Sequence, residues 1–322
     1  MQKTLQELYL DHHGKSSDKW SIYFNEYERA VGDFRNLEVS LLEIGVQNGG
    51  SLELWLKYFN QVKKIVGCDI NPKCKDLVYE DERVSVIVAD ANLDDTETLI
   101  TNLSKNFNII IDDGSHTSSD IVKTFNRYFP YLSDGGIYIV EDLHCSYWHE
   151  FEGGLFDNFS SISFFKKLID IINYEHWGVN ISSNQILEGF EKKYGLFINK
   201  SILENIHSIE FINSMCVIRK NKKNKNILGK RLIAGDDFSV VPNRGVQGLE
   251  SAPLDQSLYS QSIPMDLYDR EVDRIKWELA EKNRQFSAQA KLLTRILNSR
   301  SWRFTMPLRS IALVIAKIVK SK

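Results

Sequence analysis

The sequence predicts an α/β protein: a doubly wound, mostly parallel sheet, a closing antiparallel hairpin and a C-terminal helical tail. Three observations predict it. Five short apolar runs, near residues 39–44, 64–68, 84–89, 109–111 and 137–140, are separated by helix-compatible segments, the alternation that builds a parallel sheet. The first run passes into a glycine turn and then a helix (Val39 to Ser51, then Leu52 to Phe59). Two later runs, Ile206 to Phe211 and Met215 to Arg219, flank Asn213-Ser214 and read as a hairpin.

Composition narrows the function classes. A chain of 322 residues with 43% hydrophobic residues can bury a real core. A formal charge of −3 gives no general basic field, so nucleic acid is not an expected partner. Cys68, Cys74, Cys145 and Cys216 are scattered without C-x-x-C spacing, which indicates neither a disulfide framework nor zinc and suits a reducing cytoplasm. The polar residues after Met1 do not form the apolar core of a secretory signal.

Along the chain, residues 4 to 35 read as two short helices around the polar loop His12 to Lys19, a loop that would connect them or help cover a ligand. The glycine turn after the first strand lacks the G-x-G-x-x-G dinucleotide fingerprint because Gln47 replaces its second glycine. That argues against a pyrophosphate. Glu43 stands at the end of an apolar strand and requires a partner for its carboxylate. The second strand runs into Asp69 and the third into Asp90; an acidic group some twenty residues after such a turn is placed to accept ribose hydroxyls.

The fourth strand runs into Asp112-Asp113-Gly114-Ser115-His116, and the fifth into Glu141-Asp142-Leu143-His144. Ligands of open α/β sheets sit beyond the carboxyl ends of the strands. Asp112, Asp113 and His116 would therefore stand at the mouth of a cleft.

These residues resemble a known family. Glu43-Ile-Gly-Val with Gly49-Gly50, then Asp69, Asp90 and the D-D-G-S-H run, look like a class I S-adenosylmethionine-dependent methyltransferase with a Rossmann-like fold. Asp113, His116 and the Glu141-Asp142 pair look more narrowly like the metal-dependent macrocin and mycinamicin sugar O-methyltransferases. The resemblance covers roughly residues 10 to 220. It implies that Glu43, Gly45, Gly49, Asp69, Asp90 and Asp112 serve the cofactor, with Asp69 on the ribose and Asp90 near the adenine. It further implies that Asp113, Glu141 and Asp142 bind a divalent cation, Mg²⁺ first, and that His116 is the general base. The chemistry is coherent: a sugar hydroxyl is a poor nucleophile, so methylation needs positioning and proton removal, and an imidazole titrates near neutrality.

Around this core the sequence predicts a helical cap over 1–38, a methyltransferase domain over 39–220, a linker over 221–265 and a helical tail over 266–322. An aromatic-rich stretch from Tyr147 to Trp177 contains a predicted helix over Ile162 to Tyr174 and would supply core packing and part of a substrate lid. In the tail, Val272, Ile275, Leu279, Phe286, Leu293 and Ile296 follow a near-heptad interrupted by Lys282 and Gln289, a pattern for self-association or for docking on a glycosyltransferase. In the last stretch, Ser301 to Lys320, the apolar part from Ser310 onward is too short to span a bilayer. Its basic flanks suit peripheral contact with an anionic inner membrane face. It also resembles tails of bacterial surface-polysaccharide proteins, and so points to a sugar or glycan acceptor of O-antigen type. The competing expectations are methylation of a small non-sugar diol and a non-catalytic scaffold for glycan synthesis.

Overall fold

A computed structural model of the chain describes residues 2–256 and 267–298. It divides into two units, 1–265 and 266–322. In the first, helices α1 (Leu5–Leu10) and α2 (Ser21–Val31) precede strand β1 (Glu38–Ile44), helix α3 (Gly50–Tyr58) and strand β2 (Gln61–Asp69). Strand β3 (Val84–Val88), α4 (Asp94–Leu103), β4 (Phe107–Asp112), α5 (Ser118–Tyr128) and β5 (Leu132–Val140) continue the alternation. Helices α6 (Ser161–Ile172), α7 (Ser183–Tyr194) and α8 (Lys200–Glu204) then lead to β6 (Ile206–Ile212) and β7 (Met215–Lys220).

The seven strands lie in the order β3-β2-β1-β4-β5-β7-β6. The first five are parallel, and β7 returns antiparallel between β5 and β6. The predicted doubly wound sheet and its closing hairpin are both present. Strand order reverses between β1 and β4, the place where such sheets open a crevice. Register explains why the acidic residues converge. Ile44 lies opposite Asp112 and Asp112 opposite Val140, so the next residues, Gly45, Asp113 and Glu141, leave the sheet side by side. Two backbone bonds extend the ladder past the strand ends: Asp113 N–H to Ile44 C=O at 2.8 Å and Glu141 N–H to Asp112 C=O at 2.9 Å.

The central strands are buried on both faces, which is why they read as continuous apolar runs. On one face α2 and α3 pack through Tyr23, Tyr27, Trp55 and Tyr58, with the Tyr27 and Trp55 rings 5.0 Å apart. On the other, Phe125 of α5 contacts Tyr138, Phe164 and Phe165 at ring separations of 5.3 to 5.8 Å. Phe159, Phe164 and Phe165 of the aromatic-rich stretch are core packing, whereas Tyr147, Trp148, Phe156 and Tyr174 are exposed, so the core takes fewer of these aromatics than the sequence suggests.

Residues 221–256 carry one short 3-10 turn, Lys223–Lys225, and no longer helix or strand. The second unit contains α9 (Leu267–Asn298). Its heptad residues Ile275, Leu279, Phe286, Leu293 and Ile296 are all exposed. Among the described residues no helix is long and apolar enough to cross a membrane. The basic apolar stretch from Trp302 to Lys320 lies outside the described residues.

Candidate active site

A cleft of about 450 Å³ opens at the carboxyl ends of β1, β2, β4 and β5. Glu43, Gly45, Asp69, Asp90, Asp112, Asp113, His116, Glu141 and Asp142 all line it. Of the residues lining it, Lys19 alone is a lysine or arginine. The cleft is therefore strongly acidic, which suits a cationic ligand.

The backbone is bent to build this cleft. Gln47, His116 and Asp142, which follow β1, β4 and β5, have φ of 51°, 58° and 52°. A left-handed residue other than glycine is disfavoured by roughly 1–2 kcal/mol, so the surrounding structure must hold three such residues in place. The glycines of the first turn serve the same end. Gly45 has φ 91°, and a Cβ there would lie 1.9 Å from the Asp113 carbonyl oxygen. Gly49 is not among the residues lining the cleft; a Cβ there would meet the Tyr79 hydroxyl at 2.1 Å. These glycines permit chain to approach chain.

Each acidic residue has a distinct environment. Asp69 accepts the backbone N–H groups of Val46 and Gln47 on Oδ2 and of Asn71 on Oδ1, all at 2.8 Å. It therefore shapes the turn as well as facing the cleft. Asp90 accepts the Asn92 N–H at 2.8 Å. Glu43 is buried and accepts from Ser51 Oγ at 2.5 Å and Trp55 Nε1 at 2.7 Å, the partners its position demanded; burial still raises its carboxyl above the ordinary value. Burial also pushes Asp112 up to about 7, with the Tyr138 hydroxyl 3.4 Å away.

The paired acids after β5 separate. Asp142 Oδ1 accepts from Trp20 Nε1 at 2.9 Å and the Tyr23 hydroxyl at 2.8 Å, while Oδ2 faces His116 Nε2 at 3.8 Å. Asp113, His116 and Asp142 form a group whose ligand atoms all lie within 4.8 Å of one another. Glu141 is outside that group. It is 1% exposed, and its Oε1 accepts from Lys19 Nζ at 2.7 Å and the Tyr27 hydroxyl at 2.5 Å. Lys19 Nζ also donates to Asp113 Oδ2 at 2.5 Å. Burial alone would lower the lysine, but the charges of Glu141 and Asp113 outweigh it and hold Lys19 well above its ordinary value. Burial raises Glu141 against the opposing pull of Lys19. His144 bonds Ser214 Oγ at 2.5 Å through Nδ1, so it is anchored to the β6–β7 turn.

Lys19, Trp20, Tyr23 and Tyr27 were not singled out as site residues from sequence. One signal existed: Tyr23 and Tyr27 lie four residues apart on one face of α2, and Lys19 stands four residues before Tyr23, just ahead of the helix. Aromatic rings also flank the acidic group. Trp20 lies 5.9 Å from His144, His144 5.0 Å from Trp148, Trp148 6.0 Å from Phe151, and Phe151 6.4 Å from His116. Trp20 is 57% and Trp148 49% exposed, so this wall is available to a ligand beside the acids.

Comparison with known proteins shows what the chain is similar to. A family model described as a methyltransferase domain matches residues 42–143, the segment from β1 to just past Asp142. The chain is 38% identical over 175 residues to the 8-demethyl-8-alpha-L-rhamnosyl tetracenomycin-C 2'-O-methyltransferase of Streptomyces olivaceus, covering 50% of this chain and 44% of that protein. It is 34% identical over 160 residues to the demethylmacrocin O-methyltransferase of Streptomyces fradiae, covering 46% and 39%. It thus spans less than half the length of these relatives. Among solved structures, the MycE methyltransferase of the mycinamycin biosynthetic pathway, in complex with Mg and SAH, superposes with a TM-score of 0.57 at 26% identity over 70% of this chain and 56% of that one. The segment from β1 to just past β5 is thus similar to a methyltransferase domain, and the chain is similar in sequence to the macrocin, mycinamicin and tetracenomycin sugar O-methyltransferases.

Proposed function

We propose that the chain is an S-adenosylmethionine-dependent, divalent-metal-assisted O-methyltransferase acting on a sugar hydroxyl. The observation that carries this reading is the convergence of Asp113, His116 and Asp142 beside an acidic cleft at the strand-order reversal. The cleft fits the cofactor in size, since small-ligand sites run to about 300–1,000 Å³, and in charge, since the methyl donor is a sulfonium cation. Bound there, the cofactor supplies the methyl group. The donor set fits a hard divalent cation, with Asp113 and Asp142 as oxygen ligands; when bound, such an ion raises the acidity of a neighbouring hydroxyl.

This chain's own residues do the remaining work. Asp69 fixes the turn at Val46 and Gln47 against which the cofactor rests. Trp20 and Tyr23 hold Asp142 Oδ1, leaving Oδ2 toward His116. His116 Nε2 accepts the acceptor's proton as the hydroxyl oxygen becomes the nucleophile, and Asp142 stabilises the resulting imidazolium. The wall of Trp20, Trp148 and Phe151 would receive the apolar face of a sugar ring and exclude water. The MycE structure is a complex with Mg and SAH, and the relatives are named for rhamnosyl tetracenomycin-C and demethylmacrocin; both support the reading.

The acceptor within that class is proposed to be a nucleotide sugar or a surface glycan of O-antigen type. The exposed heptad of α9 is proposed to hold two copies, or one copy and a glycosyltransferase, together. The test is transfer of labelled methyl from S-adenosylmethionine to a panel of rhamnosyl and nucleotide-sugar acceptors, with and without EDTA. EDTA-sensitive transfer supports the proposal. Cofactor binding with no transfer to any sugar, but transfer to a small diol, would redirect it.

A further inference from the structure

We propose that Lys19 is an internal counter-ion that occupies the acidic site until a divalent cation arrives, so that metal loading displaces its ammonium. This deepens the metal-assisted reading above and rests on it. The Lys19 side chain is 8% exposed, and its Nζ lies 2.5 Å from Asp113 Oδ2 and 2.7 Å from Glu141 Oε1. Asp113 also belongs to the group with His116 and Asp142. One carboxylate is thus claimed by an ammonium on one side and by a candidate metal site on the other. A dication and an ammonium held on the same carboxylate repel each other.

The structure also says which part would move. The loop carrying Lys19 is pinned: the Ser16 carbonyl accepts the Gly50 N–H at 3.1 Å, and Lys15 pairs with Glu53 at 2.7 Å. Trp20 on the other side is bonded to Asp142. A lysine, by contrast, is a point charge on a four-carbon flexible stem. Withdrawal of the side chain alone releases Asp113 and leaves the loop in place. Without a cation, Asp113 and Glu141 would face each other as uncompensated charges, which explains why the fold places a lysine there.

The experiment is a Mn²⁺ titration of the full chain without cofactor or acceptor, read from the electron paramagnetic resonance signal of free Mn²⁺. The expected result is that Lys19→Met binds Mn²⁺ at least ten-fold more tightly than the unmodified chain. Lys19→Arg, which keeps the charge, should show no gain, and Asp113→Asn should weaken binding in both backgrounds. A lysine with a merely structural role would leave affinity unchanged or lower it when removed. If Lys19→Met does not fold, the Lys19→Met/Glu141→Gln double variant removes acid and base together and must still bind more tightly than Glu141→Gln alone. Equal or weaker binding in a folded variant lacking Lys19 overturns the proposal while leaving a metal site in place. Absence of Mn²⁺ binding in every form, with S-adenosylhomocysteine still bound, overturns the metal-assisted reading and this proposal together.

Discussion

Two buried lysines, Lys19 and Lys220, sit in different regions of the first unit and are satisfied in opposite ways. Lys19 is held by two carboxylates at the cleft. Lys220, at the end of β7, donates to the backbone carbonyls of Phe129, Pro130 and Leu132 at 3.3, 2.8 and 2.5 Å. Burial lowers Lys220 below its ordinary value, whereas the carboxylates raise Lys19. Neutral dipoles can satisfy a buried ammonium's hydrogens without attracting its charge strongly, so Lys220 acts as a clasp on the chain between α5 and β5. Two carboxylates waiting beside a third make a place for positive charge. One lysine closes the fold, and the other stands at the candidate site.

The comparison is tested most forcefully at the cleft. His116→Ala should reduce kcat by about 10²–10⁴-fold, the usual range for losing a general base, while S-adenosylhomocysteine binding and Mn²⁺ affinity stay near those of the unmodified chain. A large loss of Mn²⁺ affinity instead would make His116 a metal ligand. At the clasp, Lys220→Met should lower the unfolding free energy read by urea titration by about 2–4 kcal/mol, because three buried carbonyls lose their donor, with cofactor affinity of the folded chain unchanged. Trp148→Ala should raise the acceptor KM by about ten-fold, or ~1.4 kcal/mol, and leave kcat within a factor of two or three; equal effects on both would remove Trp148 from the acceptor wall.

The smallest effect is one of pH. A lysine lowered in the fold gives up its proton below the unfolded value of 10.5, so over that interval the unfolded chain holds more protons and the Lys220 contribution grows as pH rises toward 10.5. Lys19, raised in the fold, contributes fully below 10.5 and loses that contribution only above it. Urea denaturation at pH 8 and pH 10 should therefore show the gap between the unmodified chain and Lys220→Met widening with pH, with no such widening for Lys19→Arg. A gap that narrows would place Lys220 in a charged environment.

The strands, their order of appearance and the acids at their ends were legible because each is a local pattern. An apolar run stopped by Asp or Glu is visible in six or seven residues, and the alternation with helices fixes a parallel sheet. Glu43 was recognisable as needing a partner, and Ser51 and Trp55 of α3 supply it. What sequence could not show was how the carboxylates are divided between neighbours. Glu141 and Asp142 are adjacent in the chain, yet the left-handed backbone at Asp142 turns one inward to Lys19 and Tyr27 and the other outward to Trp20, Tyr23 and His116. Lys19 reaches Asp113 and Glu141 across 94 and 122 residues, and no local periodicity encodes such a pairing.

The central claim is that this cleft binds S-adenosylmethionine, and calorimetric titration of the full chain with that molecule, beside the Asp69→Ala variant, tests it most directly. Binding of one molecule per chain, lost or weakened at least ten-fold when Asp69 no longer holds the turn at Val46 and Gln47, is the predicted result. A folded chain that takes up no cofactor, or one whose affinity is indifferent to Asp69→Ala, would contradict it.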